Sequence, residues 1–388
     1  LESLTLVVPG FYPDSAGGAA RQALILSDAL GRLGVDVTLV APTVSSEAPA
    51  NEQTSFGRID RFRVSAYPNQ GGRHIASFLA WTRWFRDRYR RGSRRGTPIY
   101  VFHARLHALG PALAAMAGDA PLMIKLGGGG EASDFAALRA KKFFYGHWVQ
   151  SLLVRRVDCF VANGSQIVTD LQELGVPDQR IAEFPNGVVL PAEAELAGSL
   201  ERRSGDRFVY AGRMHPDKRV GVLLDAALAL ADDPHPPHLT FLGDGPERAR
   251  LQEKAPANER LFDFRGFVPD VYPELGKADF FVSASTREGQ SNALLEAMSA
   301  GVIPIVGNAS GVSDVVDDRR NGFIVKASEP AAFSEFMRMA IAMPAERRRA
   351  MALSARRFAE QNIGIDAIAG RTLQALRRVR ELRRQSTG

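Results

Sequence analysis

The 388 residues include a single cysteine, Cys159. One thiol excludes an internal disulfide and any thiolate-rich zinc site, so the composition fits the reducing cytoplasm. Long apolar runs are missing too. None approaches the roughly 18 residues of a spanning helix, and the first, Leu4 to Val8, lacks the basic flank and long core of a signal peptide. There is no low-complexity tract and no solenoid repeat. No Asp-x-Asp pair follows a candidate strand and no His/Asp cluster occurs, so neither a metal nor another cofactor is expected. The G-x-G-x-x-G fingerprint is absent as well: Gly10 is followed by Phe11 to Ala16 before Gly17, and no acid ends the second candidate strand at Leu39 to Ala41. Both gaps argue against a nicotinamide dehydrogenase.

What is present is an ordinary globular balance, 45% hydrophobic and 24% charged, long enough for about two domains. The net charge of +6 is uneven. Between Arg58 and Arg95 stand eleven arginines against Asp60 and Asp87, while the C-terminal half is nearly neutral. A sequence pI near 9.6 raises nucleic acid as a partner, but no recognition motif accompanies the charge, so none is expected. Within this basic segment Phe78, Trp81, Phe85 and Tyr89 share one helical face, with Arg83, Arg86 and Arg90 beside it. Such a face suits an anionic membrane surface, giving peripheral association on the inner face of the plasma membrane. A core-packed helix with an arginine face explains the same pattern.

Short apolar runs alternate with helical patterns almost throughout, the signature of α/β folding on parallel sheets. Leu4 to Val8 reads as a strand, Ala19 to Leu33 as a helix ended by Gly34, and Asp36 to Ala41 as the next strand. Residues 191–205 are small and polar and read as a linker before a fresh strand at Phe208 to Ala211. The expected division is a doubly wound, Rossmann-like domain over 1–195 and a second over 196–365, with a helix at about 366–388 packing back on the first. Two such domains facing a cleft would bind ligands outside the carboxyl ends of their strands.

The densest motif is Glu288-Gly-Gln-Ser-Asn-Ala-Leu-Leu-Glu296, followed by Ala-Met-Ser-Ala-Gly301 and Val-Ile-Pro304. Gly289 to Ser291 should turn, placing Glu288 before a helix and Glu296 one turn inside it. The amides near Asn292 and Ala293 then offer a phosphate site, and the flanking carboxylates can accept sugar hydroxyls. A second motif is Gly212-Arg213-Met-His-Pro-Asp-Lys218, directly after a strand. Two fixed cations at a strand end can stabilise a developing negative charge.

Together these segments resemble the retaining nucleotide-sugar glycosyltransferases of family 4, glycosyl transferases group 1, which have the two-domain GT-B fold. That family's E-G-x6-E-A-M-x2-G-x-P pattern is met with one extra residue, Ile303, and its G-R-x4-K-G pattern with Arg219 in place of the last glycine. The resemblance implies that Glu288 holds donor-sugar hydroxyls, Glu296 the ribose, and Arg213 and Lys218 the diphosphate. It extends to the Gly243 turn in Leu242-Gly-Asp-Gly-Pro246 and to Gly266, Phe267 and Val268 near the nucleobase. Gly212, Gln290, Ser291, Asn292, Ala293 and Leu294 complete the donor side, with Gly17 and Gly18 approaching the diphosphate from the first domain. Pro185-Asn-Gly-Val188 matches the family's hinge turn.

His103 ends a candidate strand where the family often has a histidine near the donor sugar. Where relatives carry another histidine loop, this chain has Lys125-Leu-Gly-Gly-Gly-Gly-Glu131, four glycines that let a ligand approach. We read it as an acceptor-side loop, with Lys125, Gly128, Gly129, Glu131 and Asp134 as candidate contacts. The implied activity is metal-independent transfer of a sugar from a UDP- or GDP-sugar donor to a hydroxyl of an acceptor glycan, lipid-linked sugar or small molecule. A catalytically silent GT-B scaffold and a nucleotide-sugar epimerase remain alternatives: donor hydrolysis would exclude the first, and product formed without acceptor would indicate the second.

Overall fold

The computed structural model describes residues 2–14, 17–69, 74–91, 94–130, 133–141, 145–255, 261–286 and 290–387, with side chains omitted at 90, 91, 386 and 387. The chain forms two compact units, Leu1–Gly187 with Ile365–Gly388, and Val188–Gly364.

In the first unit the order is β1 (Ser3–Val7), α1 (Gly18–Arg32), β2 (Asp36–Thr43), β3 (Asn51–Thr54), β4 (Gly57–Arg63), α2 (Ile75–Arg91), β5 (Ile99–Phe102), α3 (Leu109–Gly118) and β6 (Leu122–Lys125). There follow α4 (Asp134–Arg139), α5 (Tyr145–Arg156), β7 (Cys159–Ala162), α6 (Ser165–Glu173) and β8 (Ile181–Glu183). The helix Ile365–Thr387 returns to close the unit. The sheet runs β3-β4-β2-β1-β5-β6-β7-β8, parallel except for the β3–β4 hairpin. Both faces are covered, which is why its central strands are apolar without alternation. On one side Val7, Val101, Ile124 and Phe160 meet Trp81, Phe85 and Tyr89 of α2 and the alanines of α3. On the other, Leu6, Leu39, Met123 and Val161 meet α1 and the returning helix through Ile368, Leu373 and Leu376.

The second unit contains α7 (Glu193–Glu201), β9 (Arg207–Ala211), α8 (Val220–Leu228), β10 (His238–Leu242), α9 (Arg248–Lys254), β11 (Phe262–Gly266) and α10 (Tyr272–Leu275). It ends with β12 (Phe280–Ser283), α11 (Asn292–Ser299), β13 (Ile303–Gly307), β14 (Phe323–Val325), α12 (Pro330–Ile341) and α13 (Ala345–Asn362). The returning helix is therefore α14. Its parallel sheet runs β11-β10-β9-β12-β13-β14. Each sheet reverses its strand order at one place, between β1 and β5 in the first unit and between β9 and β12 in the second. Open α/β sheets bind their ligands at the carboxyl ends of the strands at such points.

Three expectations change. The boundary falls at Gly187/Val188, eight residues before the expected one, and the supposed linker is largely helix α7. Alanine, leucine and glutamate favour a helix there, the Glu195 carboxylate accepts from the Ala192 amide at 3.3 Å, and the Ser199 hydroxyl donates to the Gly276 carbonyl at 2.7 Å. The aromatic stripe read as a membrane contact is part of the core instead. Trp81, Phe85 and Tyr89 have no exposed surface, because Trp81 donates to the His107 carbonyl at 2.9 Å and Tyr89 to the Thr5 hydroxyl inside the core. Most of the arginines are engaged locally. Asp60, itself buried, gathers Arg58, Arg88 and Arg94, Asp87 meets Arg83 and Arg86, and Arg61 pairs with Glu52. Among the described residues no helix is long and apolar enough to cross a membrane.

Candidate active site

In the second unit the ends of three neighbouring strands are finished with glycine. Gly212 follows β9, Gly243 follows β10, and Gly266 ends β11. Backbone bonds tie them together: the Gly212 amide donates to the Leu242 carbonyl at 2.9 Å and the Gly243 amide to the Gly266 carbonyl at 2.7 Å. Gly243 cannot be replaced. Its φ is 129° and a Cβ there would lie 2.0 Å from the Gly212 carbonyl oxygen. The result is a shelf of three main-chain strand ends, with the Tyr210 hydroxyl beside Gly212 and the Arg248 guanidinium beside Gly266.

Arg213 stands exposed at this shelf, its carbonyl held by the buried Tyr210 hydroxyl at 2.8 Å. Lys218 ends a short 3-10 turn, Pro216–Lys218, whose last amide bonds to the His215 carbonyl at 2.8 Å. The chain then needs a left-handed residue to enter α8, and Arg219 supplies it at φ 51°, ψ 38°. That conformation explains the glycine of the family pattern, since an arginine pays about 1 kcal/mol for it.

Across the strand-order reversal, α11 starts at Asn292 after Ser291, with no side-chain cap. Gln290 and Glu296 are buried, Ser291, Asn292 and Ala293 half-buried, and Leu294 is in the core. Phe267 is exposed and Val268 packs on the core. Glu288 lies outside the described residues. Sequence reasoning passed over Ser285, whose buried hydroxyl has no partner among the described residues. With Ser283, Ser291 and Gly307 it lines a small cavity beside the start of α11. Its position at the end of β12, at the reversal point, was the available signal.

In the first unit the strand ends at the reversal carry titratable side chains. Gly17 is the exposed N-cap of α1, and Gly18 its first residue. His103 follows β5 at φ 71°, its amide donating to the Lys125 carbonyl at 2.7 Å. The Asp134 carboxylate accepts from His103 Nδ1 at 3.1 Å, Arg105 Nε at 2.7 Å, and the amides of Ala104 at 3.1 Å and Gly127 at 2.9 Å. Burial alone would raise its pKa, but His103 and Arg105 outweigh that and hold it well below the usual carboxylate range. Asp134 is thus an internal anchor, and the expectation of an acceptor contact is corrected: it has no exposed surface. Lys125 is buried too, its ammonium 5.9 Å from the Phe102 ring centre, and desolvation brings its pKa down to about 7. His107, wholly buried between Asn69 and the Phe102 carbonyl, is pushed down to about 3, chiefly by burial.

Gly127 was not singled out from sequence, yet it decides this corner. A Cβ there would lie 2.0 Å from His103 Cε1. Gly128 and Gly129 are buried, Gly129 against Gln166. Glu131 lies outside the described residues. No group of three or more His, Cys, Asp or Glu among the described residues is placed to hold a metal ion.

Two parallel α/β units, each with one strand-order reversal, are the architecture of the GT-B fold. Residues 17–187 match the family model described as glycosyl transferase 4-like domain and residues 205–342 that of glycosyl transferases group 1. The chain belongs to the GT-B glycosyltransferases of the family 4 type. It is 26% identical over 373 residues, 91% of either chain, to a GDP-mannose-dependent alpha-mannosyltransferase of Mycobacterium tuberculosis. Among solved structures, sucrose-phosphate synthase from Thermosynechococcus elongatus superposes with a TM-score of 0.78 at 18% identity, covering 98% of this chain and 100% of the other. HepE from Anabaena, in complex with UDP and glucose, gives 0.68 at 18% identity over 96% and 98%.

Proposed function

We propose that this protein transfers a glycosyl group from a UDP- or GDP-linked sugar to an acceptor hydroxyl with retention of anomeric configuration. The acceptor is a glycan, a lipid-linked sugar or a related glycoconjugate, and the setting is cytoplasmic. The observation that carries the reading is the glycine shelf at the ends of β9, β10 and β11, continued by the loop that bears Arg213 and Lys218, with the start of α11 following the neighbouring strand β12. Support comes also from the relatives: one is GDP-mannose-dependent by name, and one was solved with UDP and glucose.

In this reading the diphosphate meets backbone amides and the two cations, which neutralise its charge as the glycosyl bond breaks. Glu296 accepts ribose hydroxyls and Glu288 those of the sugar. The acceptor hydroxyl attacks from the face the diphosphate leaves, its proton passing to the departing phosphate oxygen. In the first unit, Gly17 and Gly18 leave the start of α1 open to a ligand, and His103 meets a substrate hydroxyl. No metal takes part. Thermal melts with UDP, GDP and their sugars should pick the base by stabilising the folded state. Lys218→Ala should then cut kcat about 100- to 1,000-fold at unchanged melting temperature. Near-normal turnover in that variant would overturn the assignment.

A further inference from the structure

We infer that Asp134 is a positioning residue: it fixes His103 as the Nδ1–H tautomer, so that the ring offers Nε2 as a hydrogen-bond acceptor to a substrate hydroxyl. The inference rests on the glycosyltransferase reading only for the nature of the substrate.

Burial assigns the roles. Asp134 has no exposed side-chain surface, whereas His103 keeps 23% of its own, so only the imidazole can meet a ligand. Both carboxylate oxygens lie 3.1 Å from Nδ1. An anionic carboxylate has no proton to give, so the shared proton sits on Nδ1 and the Nε2 lone pair stays free. Arg105 and the amides of Ala104 and Gly127 take up the remaining acceptor capacity and hold the carboxylate in place. Among the described residues, the other charged or titratable groups around the pair are Lys125, joined to His103 through the backbone, and His107, which is buried neutral. Neither competes for the carboxylate.

The backbone points the same way. His103 occupies the left-handed region at φ 71°, a conformation that costs about 1–3 kcal/mol and persists where the surroundings impose it. Those surroundings are the Lys125 carbonyl, the Asp134 carboxylate, and a glycine at 127 whose missing Cβ is the space the ring occupies. A simple structural ion pair would need Arg105 and Asp134 alone.

Nitrogen-15 NMR of the histidine ring in the wild-type protein, without substrate, reads the tautomer directly. The expected result is that the neutral ring carries its proton on Nδ1 and leaves Nε2 bare. An Nε2–H ring would overturn the inference. Asp134→Asn should shift the population toward Nε2–H and lower kcat about 10- to 100-fold with little change in donor KM. In a His103→Ala background the same substitution should cost nothing further. An equal loss in both backgrounds would mean a structural role and overturn the proposal. If Asp134→Asn does not fold, Gly127→Ala, which leaves the carboxylate intact and displaces the ring, should abolish the Nδ1–H signature. An Nδ1–H ring in a protein that transfers no sugar would sink the functional reading while upholding this one.

Discussion

The strand ends of the second unit are finished with glycine and main chain, those of the first with titratable side chains held beneath the surface. Gly212, Gly243 and Gly266 join the strand ends through main chain, and their geometry is set by covalent structure and sheet hydrogen bonds. His103, Asp134 and Lys125 present chemistry whose state depends on burial and neighbours. A main-chain site is insensitive to pH and fails by losing its fold. A side-chain site can lose its chemistry with the fold intact.

One substitution made in both places tests the difference. Gly243→Ala drives a methyl into the Gly212 carbonyl from a left-handed backbone, and should destabilise the second unit by about 3 kcal/mol. Its thermal transition should fall by roughly 6–12 °C, and nucleotide binding with it. Gly127→Ala pushes only the end of a side chain, the His103 ring. Stability should drop by about 1 kcal/mol, while kcat falls about 10- to 100-fold. Equal melting shifts in the two variants would break the comparison.

The charge at Lys125 sharpens it further. Its pKa in the folded chain, about 7, lies below the ordinary 10.5. Between those values the unfolded chain binds the extra proton, so the stability of the first unit should rise as pH climbs from about 7 to about 10.5. Below 7 both states carry the proton, and the desolvation cost is fully present. Lys125→Met should remove that slope and raise stability at neutral pH; urea titrations of the two proteins across the range measure it. The smallest effect belongs to Arg219→Gly, which relieves a left-handed arginine and should stabilise the second unit by about 1 kcal/mol.

The alternation of buried strands and helices was legible because parallel strands covered on both faces are apolar throughout, and β7, β10 and β12 start and stop where their apolar runs do. The β3–β4 hairpin was not. Asn51–Thr54 is polar and exposed, and the arginines of β4 are among those that register as a charge patch. The aromatic face of α2 shows why periodicity cannot separate a core from a membrane face: both bury the same stripe, and what decides it is the packing of Trp81, Phe85 and Tyr89 against the sheet and their bonds to His107 and Thr5. In the site, each donor motif is a short local stretch, which is what made it a candidate from the sequence. The pairing of His103 with Asp134, 31 residues away, depends on two loops meeting over adjacent strands, which no local pattern encodes.

The helix α14 has a consequence for how the chain is made. The second unit is one continuous stretch, its first and last residues, Val188 and Gly364, bridged to each other. The first unit is not: Ile368, Leu373, Leu376 and Val379 form part of its core, and Ile365 packs on Gly187, whose amide and carbonyl are both bound by Gln22. A ribosome therefore finishes the second unit while the first still lacks a wall. The domain synthesised first is the last to be completed, and until then the sheet face carrying Met123 and Val161 stands open to whatever chaperone or neighbouring chain reaches it.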